Sequence, residues 1–287
     1  MIAAMASLGV CLVTHAGFEQ IATAAKGKVG AAAIVLETGE SVAMRGDQHF
    51  PMQSVYKFPI AMAVLHQVDA GTLKLDQAIR IEKTLLVPPA LHSPIRDAHP
   101  DGVEMPLREI LRYAVAESDG TASDVLMHLA GGPAPIERYV RGLGVDEIAI
   151  ATTEMEMSRG ELVQYRNWAT PNGMVKLLKT FEEGHGLSAG SRGLLMRWMT
   201  ETDTGQHRIK GLLPPGTVVA HKTGTSGSAH GLTRATNDVG IVTLPDGRHM
   251  AIAVFVSDST ADEATREDVI ARIAKAAWDN WTQSKGH

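Results

Sequence analysis

The chain has a single cysteine, Cys11, so a disulfide framework and a Cys-based metal site are both excluded. Its twelve histidines are scattered, with no H-x-H or H-E-x-x-H spacing, and a dedicated zinc site is not expected. Excess positive charge is missing too. A formal net charge of -5 argues against a nucleic-acid partner and leaves no basic patch for a membrane. Beyond the first sixteen residues no apolar run is long enough to span a bilayer. Internal repeats and low-complexity linkers are absent, and no G-x-S-x-G elbow marks an ordinary serine esterase.

What is present suits one large folded unit: 287 residues, 44% of them hydrophobic, enough for a proper core in one domain or two lobes. Residues 1–16, MIAAMASLGVCLVTHA, read as the apolar core of a signal peptide with cleavage after Ala16, although no Lys or Arg precedes the run. An ordinary N-terminal helix is the alternative. Cys11 lies inside this segment, so the processed chain contains no thiol.

Residues 29–36 and 41–45 predict two strands around Thr38-Gly39-Glu40. Residues 55–69 predict a helix with Ala61, Val64, Leu65 and Val68 on one face and Pro59 in its first turns. The Pro-rich stretch 84–102 reads as a long functional loop. Helical periodicity covers 106–116, 121–130, 135–142, 171–184 and 188–201, whereas 145–170 has no clean period. Strands follow at 217–221, 238–244 and 249–257, the last two joined by Pro245-Asp246-Gly247. The closing helix, Asp262 to Trp281, should turn Ala264, Val269, Ile273, Ala276 and Ala277 inward. Strands at both ends with helices between predict an α+β fold: a sheet lobe from about 17–50 and 202–287, and an inserted helical lobe of about 51–201.

Three polar motifs carry the chemistry. Ser54-Val55-Tyr56-Lys57 places a lysine amine beside a serine hydroxyl at i and i+3 of a helix, where the amine can take the hydroxyl proton. Standing alone, this pattern is more often a plain helix start. Ser118-Asp119-Gly120 offers a second hydroxyl suited to proton relay, though Asp119 also reads as a helix N-cap. His221-Lys222-Thr223-Gly224-Thr225-Ser226-Gly227 is the most specific. Its glycines let the backbone approach a ligand, and its lysine and three hydroxyls at strand spacing can hold a carboxylate.

The order and separation of these motifs resemble those of the class A serine β-lactamases. FPMQSVYKFPIAMAVLHQVDAG, VQYRNW, GLLPPGTVVAHKTGTSG and NDVGIVTLPDGRHMAIAVFVSDS are similar to the PER-like extended-spectrum branch, over about Val29 to Trp281. The resemblance implies a two-lobed fold with the active site between the lobes, hydrolysis of a β-lactam through an acyl-serine, no cofactor or metal, small-molecule substrates, a monomer, and a periplasmic or secreted location without lasting membrane association. It implies Ser54 as nucleophile, Lys57 as proton acceptor and Ser118 as relay to the leaving nitrogen. Lys222, Thr223 and Thr225, with Gly224 and Ser226, would bind the substrate carboxylate, and Arg208 would support it. The backbone N–H groups of Ser54 and Thr225 would form the oxyanion hole. Deacylation needs a carboxylate one water from the ester. Glu154, Glu156 and Glu161 are the choices; Glu154, thirteen residues before Asn167, is preferred and Glu156 is the reserve.

Four positions depart from the pattern. Gly120 replaces an asparagine that contacts substrate and lysine, and Ser158 replaces one that helps hold the hydrolytic water. Thr152 and Asn167 replace an ion pair across the loop, which is expected to open it to bulky oxyimino side chains. His92 is placed at the cleft mouth or, equally, as an exposed loop residue. A penicillin-binding peptidase that deacylates slowly is the main alternative; an acylated sensor domain and an unrelated esterase are weaker ones.

Overall fold

A computed structural model describes residues 15–282. The apolar segment with Cys11 thus lies outside the described residues, except that His15 and Ala16 open the first helix. The strands, in chain order, are β1 (Lys28–Val35), β2 (Ser41–Met44), β3 (Phe50–Pro51), β4 (Ala78–Glu82), β5 (Gly102–Pro106), β6 (Ile148–Ala149), β7 (Trp168–Ala169), β8 (Val219–Thr225), β9 (Ser228–Ala229), β10 (Leu232–Thr243) and β11 (His249–Ser259). The helices are α1 (His15–Ala22), α2 (Lys57–Asp69), α3 (Pro94–Ala98), α4 (Leu107–Ala116), α5 (Gly120–Leu129), α6 (Pro133–Gly142), α7 (Glu154–Met157), α8 (Pro171–Glu182), α9 (Ala189–Glu201) and α10 (Glu263–Thr282).

The main sheet runs β2-β1-β11-β10-β8, antiparallel throughout, with β9 added beside β10. Small and β-branched residues make β1 a strand buried on both faces. One face turns Val29, Ala31, Ile252 and Val254 toward α1 and α10, where Phe18, Val269, Ile273 and Trp278 close the layer. The other face turns Ala32, Ala253 and Phe255 into the core shared with the helical region. This is the α+β arrangement expected from strands at both ends of the chain.

Several local expectations needed correction. Residues 53–56 form a 3-10 turn, and the α-helix starts only at Lys57. The helix is not one-sided: Lys57 to Leu65 are all buried, because α2 runs through the middle of the helical lobe. Ala264 is exposed in the first turn of α10, while Val269, Ile273 and Ala277 face the sheet as expected. The loop 84–102 contains the short helix α3, started by Ser93, which accepts from the Arg96 amide, and by Pro94 at its first position. A two-stranded ribbon, β4 with β5, frames that loop and has no counterpart in the periodicity reading.

The lobes are sewn together beside the cleft. Asn237 on β10, fully buried, donates from Nδ2 to the carbonyls of Pro51 (2.8 Å) and Met52 (3.1 Å). Gly224 on β8 packs directly on Met52; a Cβ there would collide with the Met52 carbonyl and press on Val55. Only glycine lets the strand edge come this close to the turn holding Ser54.

Candidate active site

A cleft of about 680 Å³ lies between the β8 edge, the segment after α7 and the loop before α3. Ser54 sits in the 3-10 turn, where i and i+3 nearly eclipse, and Lys57 therefore lies over it. Lys57 Nζ donates to Ser54 Oγ (2.9 Å) and to the Ser118 carbonyl (2.7 Å), and lies 2.9 Å from Glu154 Oε1. Both charged groups are nearly inaccessible, Lys57 at 2% and Glu154 at 6% exposure. A buried lysine and carboxylate in contact offset each other's desolvation cost.

Ser118 lies just before α5 with φ of 59°, a left-handed conformation unusual outside glycine and asparagine. Asp119 explains how it is held. Its carboxylate caps α5 through the Ala122 amide (2.7 Å), and it also accepts from the Ile95 amide (2.7 Å) and the Ser93 hydroxyl. The capping role foreseen for Asp119 is therefore its role here, and it leaves the Ser118 hydroxyl free to face the cleft. Lys222 Nζ donates to that hydroxyl at 2.9 Å. Burial, and then the Lys57 charge, push the Lys222 amine well below its ordinary range. Ser54, Lys57, Glu154, Ser118 and Lys222 thus make one continuous polar chain.

On the strand edge, Arg208 is 4% exposed and fans out to four groups. Nη2 donates to Thr225 Oγ1 (2.8 Å), Nη1 to the Asn237 carbonyl (3.0 Å) and, more weakly, to the Gly224 carbonyl (3.4 Å), and Nε to Glu267 on α10 (3.0 Å). Thr223 shares a hydroxyl contact with Thr204 (2.9 Å). Arg208, Thr223, Thr225 and Ser226, the residues expected to hold a carboxylate, all line the cleft. The Ser226 hydroxyl is partly spent, since it accepts from the Ala235 amide (3.0 Å) at the end of the ladder. Lys222, Gly224 and Gly120 do not line the cleft. Lys222 reaches it through Ser118, and Gly224 serves packing. Gly120 is buried, and a Cβ on it would stand 3.1 Å from the His92 carbonyl, so a larger residue has to shift that loop. His92 is exposed and lines the mouth, its ring nitrogen 2.9 Å from the Glu117 carbonyl.

The segment 145–170 separates the three candidate glutamates. Glu156 Oε2 accepts from Thr152 Oγ1 (2.8 Å) and from the Thr153 amide (3.1 Å), closing a capping box with Thr153. These bonds hold its carboxyl below the usual range. Glu161 pairs with Arg234 at 2.7 Å. Glu154 alone of the three meets Lys57. Asn167 holds the neck of the loop: Oδ1 accepts from the Ala151 and Thr152 amides (2.8 and 3.0 Å), and Nδ2 donates to the Thr152 carbonyl (2.8 Å). The missing ion pair is thus replaced by a buried amide. The Ser158 hydroxyl bends back to the Met155 carbonyl (2.8 Å).

Sequence reasoning missed Asp124. One turn along α5 from Gly120, it accepts from the Glu154 amide (2.7 Å) and the Met155 amide (2.9 Å). Burial raises its pKa to about 6 against the pull of these two amides. It also missed Gln53 and Gln164, joined at 2.5 Å across the cleft floor, and Asn237. The i+4 spacing of Asp124 from Gly120 was visible, but nothing in it specified a partner thirty residues away.

A family model described as the β-lactamase enzyme family matches residues 16–281. The extended-spectrum β-lactamase PER-1 of Pseudomonas aeruginosa is 44% identical over 91% of this chain and 84% of its own length. The β-lactamase VEB-1, from the same species, is 40% identical over 91% and 88%. Among solved structures, a β-lactamase from Chitinophaga pinensis aligns with a TM-score of 0.89 at 51% identity, covering 91% of this chain and 97% of that one. The TLA-1 extended-spectrum β-lactamase aligns with a TM-score of 0.91 at 43% identity, covering 94% and 98%. With Ser54, Lys57 and the buried Glu154 in one cleft, Lys222 behind Ser118, and likeness of this extent to enzymes of one kind, the chain belongs to the class A β-lactamase family.

Proposed function

We propose that this protein opens the β-lactam ring of penicillins and cephalosporins through an ester on Ser54, and that Glu154 drives the hydrolysis of that ester. The supporting observation is Lys57 Nζ, 2.9 Å from both Ser54 Oγ and Glu154 Oε1. Substrate enters with its carboxylate toward Arg208, Thr223 and Thr225, where charge-assisted bonds orient it. Ser54 Oγ attacks the lactam carbonyl as its proton passes to the Lys57–Glu154 pair. The backbone N–H groups of Ser54 and Thr225 receive the oxyanion. The lactam C–N bond breaks, the nitrogen takes a proton from Ser118, whose hydroxyl Lys222 holds in place, and the proton received from Ser54 passes from the Lys57–Glu154 pair to Ser118, which frees Glu154 for the next step. Glu154 then removes a proton from a water, the hydroxide attacks the ester carbon, and Ser54 leaves as the alcohol. One water is consumed; a carboxylate and an amine are produced.

Glu156 is not assigned this part, because its Oε2 accepts from Thr152 Oγ1 and the Thr153 amide and only Glu154 meets Lys57. The names of PER-1 and TLA-1, together with a loop neck closed by an amide instead of an ion pair, support oxyimino-cephalosporins as additional substrates. The proposed setting is periplasmic or secreted: the apolar segment 1–16 serves as export signal, 17–287 is one catalytic domain, and the processed protein is a monomer. Among the described residues no helix is long and apolar enough to cross a membrane.

Intact-mass spectrometry with benzylpenicillin tests the reading. The exported wild type should show the mass of a chain cut near Ala16 and only a transient adduct. Ser54→Ala should show none, and Glu154→Gln should accumulate a long-lived one. A permanent wild-type adduct makes the protein a penicillin-binding peptidase, and rapid turnover by Glu154→Gln removes Glu154 from its role.

A further inference from the structure

We propose that Arg234 is a specificity-determining residue: it clamps the segment after α7 to the main sheet and so sets how far the cleft wall yields to a bulky acyl side chain. The inference rests on the acyl-enzyme reading above and goes beyond it in assigning the control of side-chain access. Arg234, on β10, donates from Nε to Glu161 Oε1 (2.7 Å) and from Nη1 to Asp258 Oδ1 (3.3 Å) on β11. The Tyr165 hydroxyl donates to the same Asp258 oxygen, and Lys28 Nζ lies 3.6 Å from its other oxygen. One arginine and one carboxylate on the sheet therefore grip the segment at two points, Glu161 and Tyr165.

This segment is a cleft wall. Gly160, Glu161 and Gln164 line the cleft, as do residues 226–229. The grip also reaches the floor. The Glu161 carbonyl accepts from Gln164 Nε2 (2.6 Å), Gln164 Oε1 accepts from Gln53 Nε2 (2.5 Å), and Gln53 immediately precedes Ser54. The hydrolytic carboxylate is held elsewhere: Glu154 depends on Asp124 and Lys57, and the loop neck depends on Asn167. Wall position and water activation are thus carried by different contacts.

The clamp is partly open to solvent, with the Arg234, Glu161 and Asp258 side chains 22, 36 and 23% exposed. Ion pairs at such exposure are individually weak and are screened by salt. Their loss loosens the wall without unfolding the protein.

The test is steady-state kinetics of the full chain and of Arg234→Ala, with benzylpenicillin as the small substrate and ceftazidime as the bulky one, the latter read as substrate or as competing inhibitor. Arg234→Ala should lower the KM or Ki for ceftazidime roughly three- to fivefold, the scale of one exposed ion-pair network, and leave benzylpenicillin kcat within about twofold. Asp258→Asn is the second variant. Its φ of 51° is one that asparagine accepts, so it keeps the backbone while weakening both contacts, and it should show the same split if Arg234→Ala is poorly folded. Equal changes on both substrates, or none on either, overturn the proposal. A wild type inert toward both overturns the acyl-enzyme reading itself, whereas an active wild type with unaltered variants overturns this one alone.

Discussion

Asp124 shows how one side chain can set the position of the carboxylate proposed to activate water, without touching a substrate. Its two oxygens take one amide each, those of Glu154 and Met155, and so fix the start of α7 and the direction in which Glu154 points. Burial is the largest influence on it and raises its pKa from 3.8 to about 6, with the Glu154 charge adding to the rise. Between those values the folded protein binds more proton than the unfolded chain, so stability falls as pH rises from about 4 to about 6, by no more than about 3 kcal/mol. Asp124→Asn removes this titration. Denaturant unfolding at pH 4 and pH 7 should show the variant gaining on the wild type as pH rises; a gap that stays constant, or moves the other way, removes the assignment. The amide has one acceptor where the carboxylate has two. One backbone N–H is left facing an NH2 group, and deacylation should slow at every pH.

At the scale of elements, β1 and β11 were legible as runs of β-branched and small residues and α4, α8 and α10 by their apolar period, each within about two residues of the expected ranges, whereas β10 begins at Leu232, ahead of the expected residue 238. The segment 145–170 was not legible, because its order comes from groups that have no period. Asn167 bonds to backbone at Ala151 and Thr152, Glu156 caps its own helix, and Asp124 reaches in from α5. Glu154 could still be picked, by its distance from Asn167, yet the reason for that distance is visible only in three dimensions. Asn167 closes the loop, and the next turn presents Glu154 to Lys57. Asn167→Ala should therefore do two things together. Stability should drop by about 2–3 kcal/mol, because buried amides and a carbonyl lose their partner. The penicillin adduct should also persist longer than in the wild type, because α7 is no longer held. A shifted denaturation midpoint with an unchanged adduct lifetime would confine Asn167 to folding.

For the molecule as a whole, the decisive fact is that the polar chain of the site spans both lobes. Ser54, Lys57, Ser118 and Glu154 come from the helical side, while Lys222, Thr223, Thr225 and Arg208 come from the sheet side. Motif order made the residues legible, but not what keeps the lobes in register. Two devices do so: Gly224, whose missing side chain lets β8 lie on the Ser54 turn, and Asn237, whose amide bonds the two carbonyls that precede Gln53. The Asn237 carbonyl in turn accepts from Arg208, so one residue bonds both the turn that holds Ser54 and the arginine proposed to receive the substrate carboxylate. Asn237→Ala strips the donor from two buried carbonyls, at a cost of roughly 1–3 kcal/mol, and leaves a gap between the lobes. Because Ser54 lies two residues beyond Met52, the turn should drift from Lys222 and the oxyanion donors before either lobe melts. The expected signature is a fall in the acylation rate of about tenfold or more at temperatures where circular dichroism still reports a fully folded protein. Acylation and unfolding that fail together, at one temperature, would mean that Asn237 supports the fold in general and does not hold the two halves of the site in line.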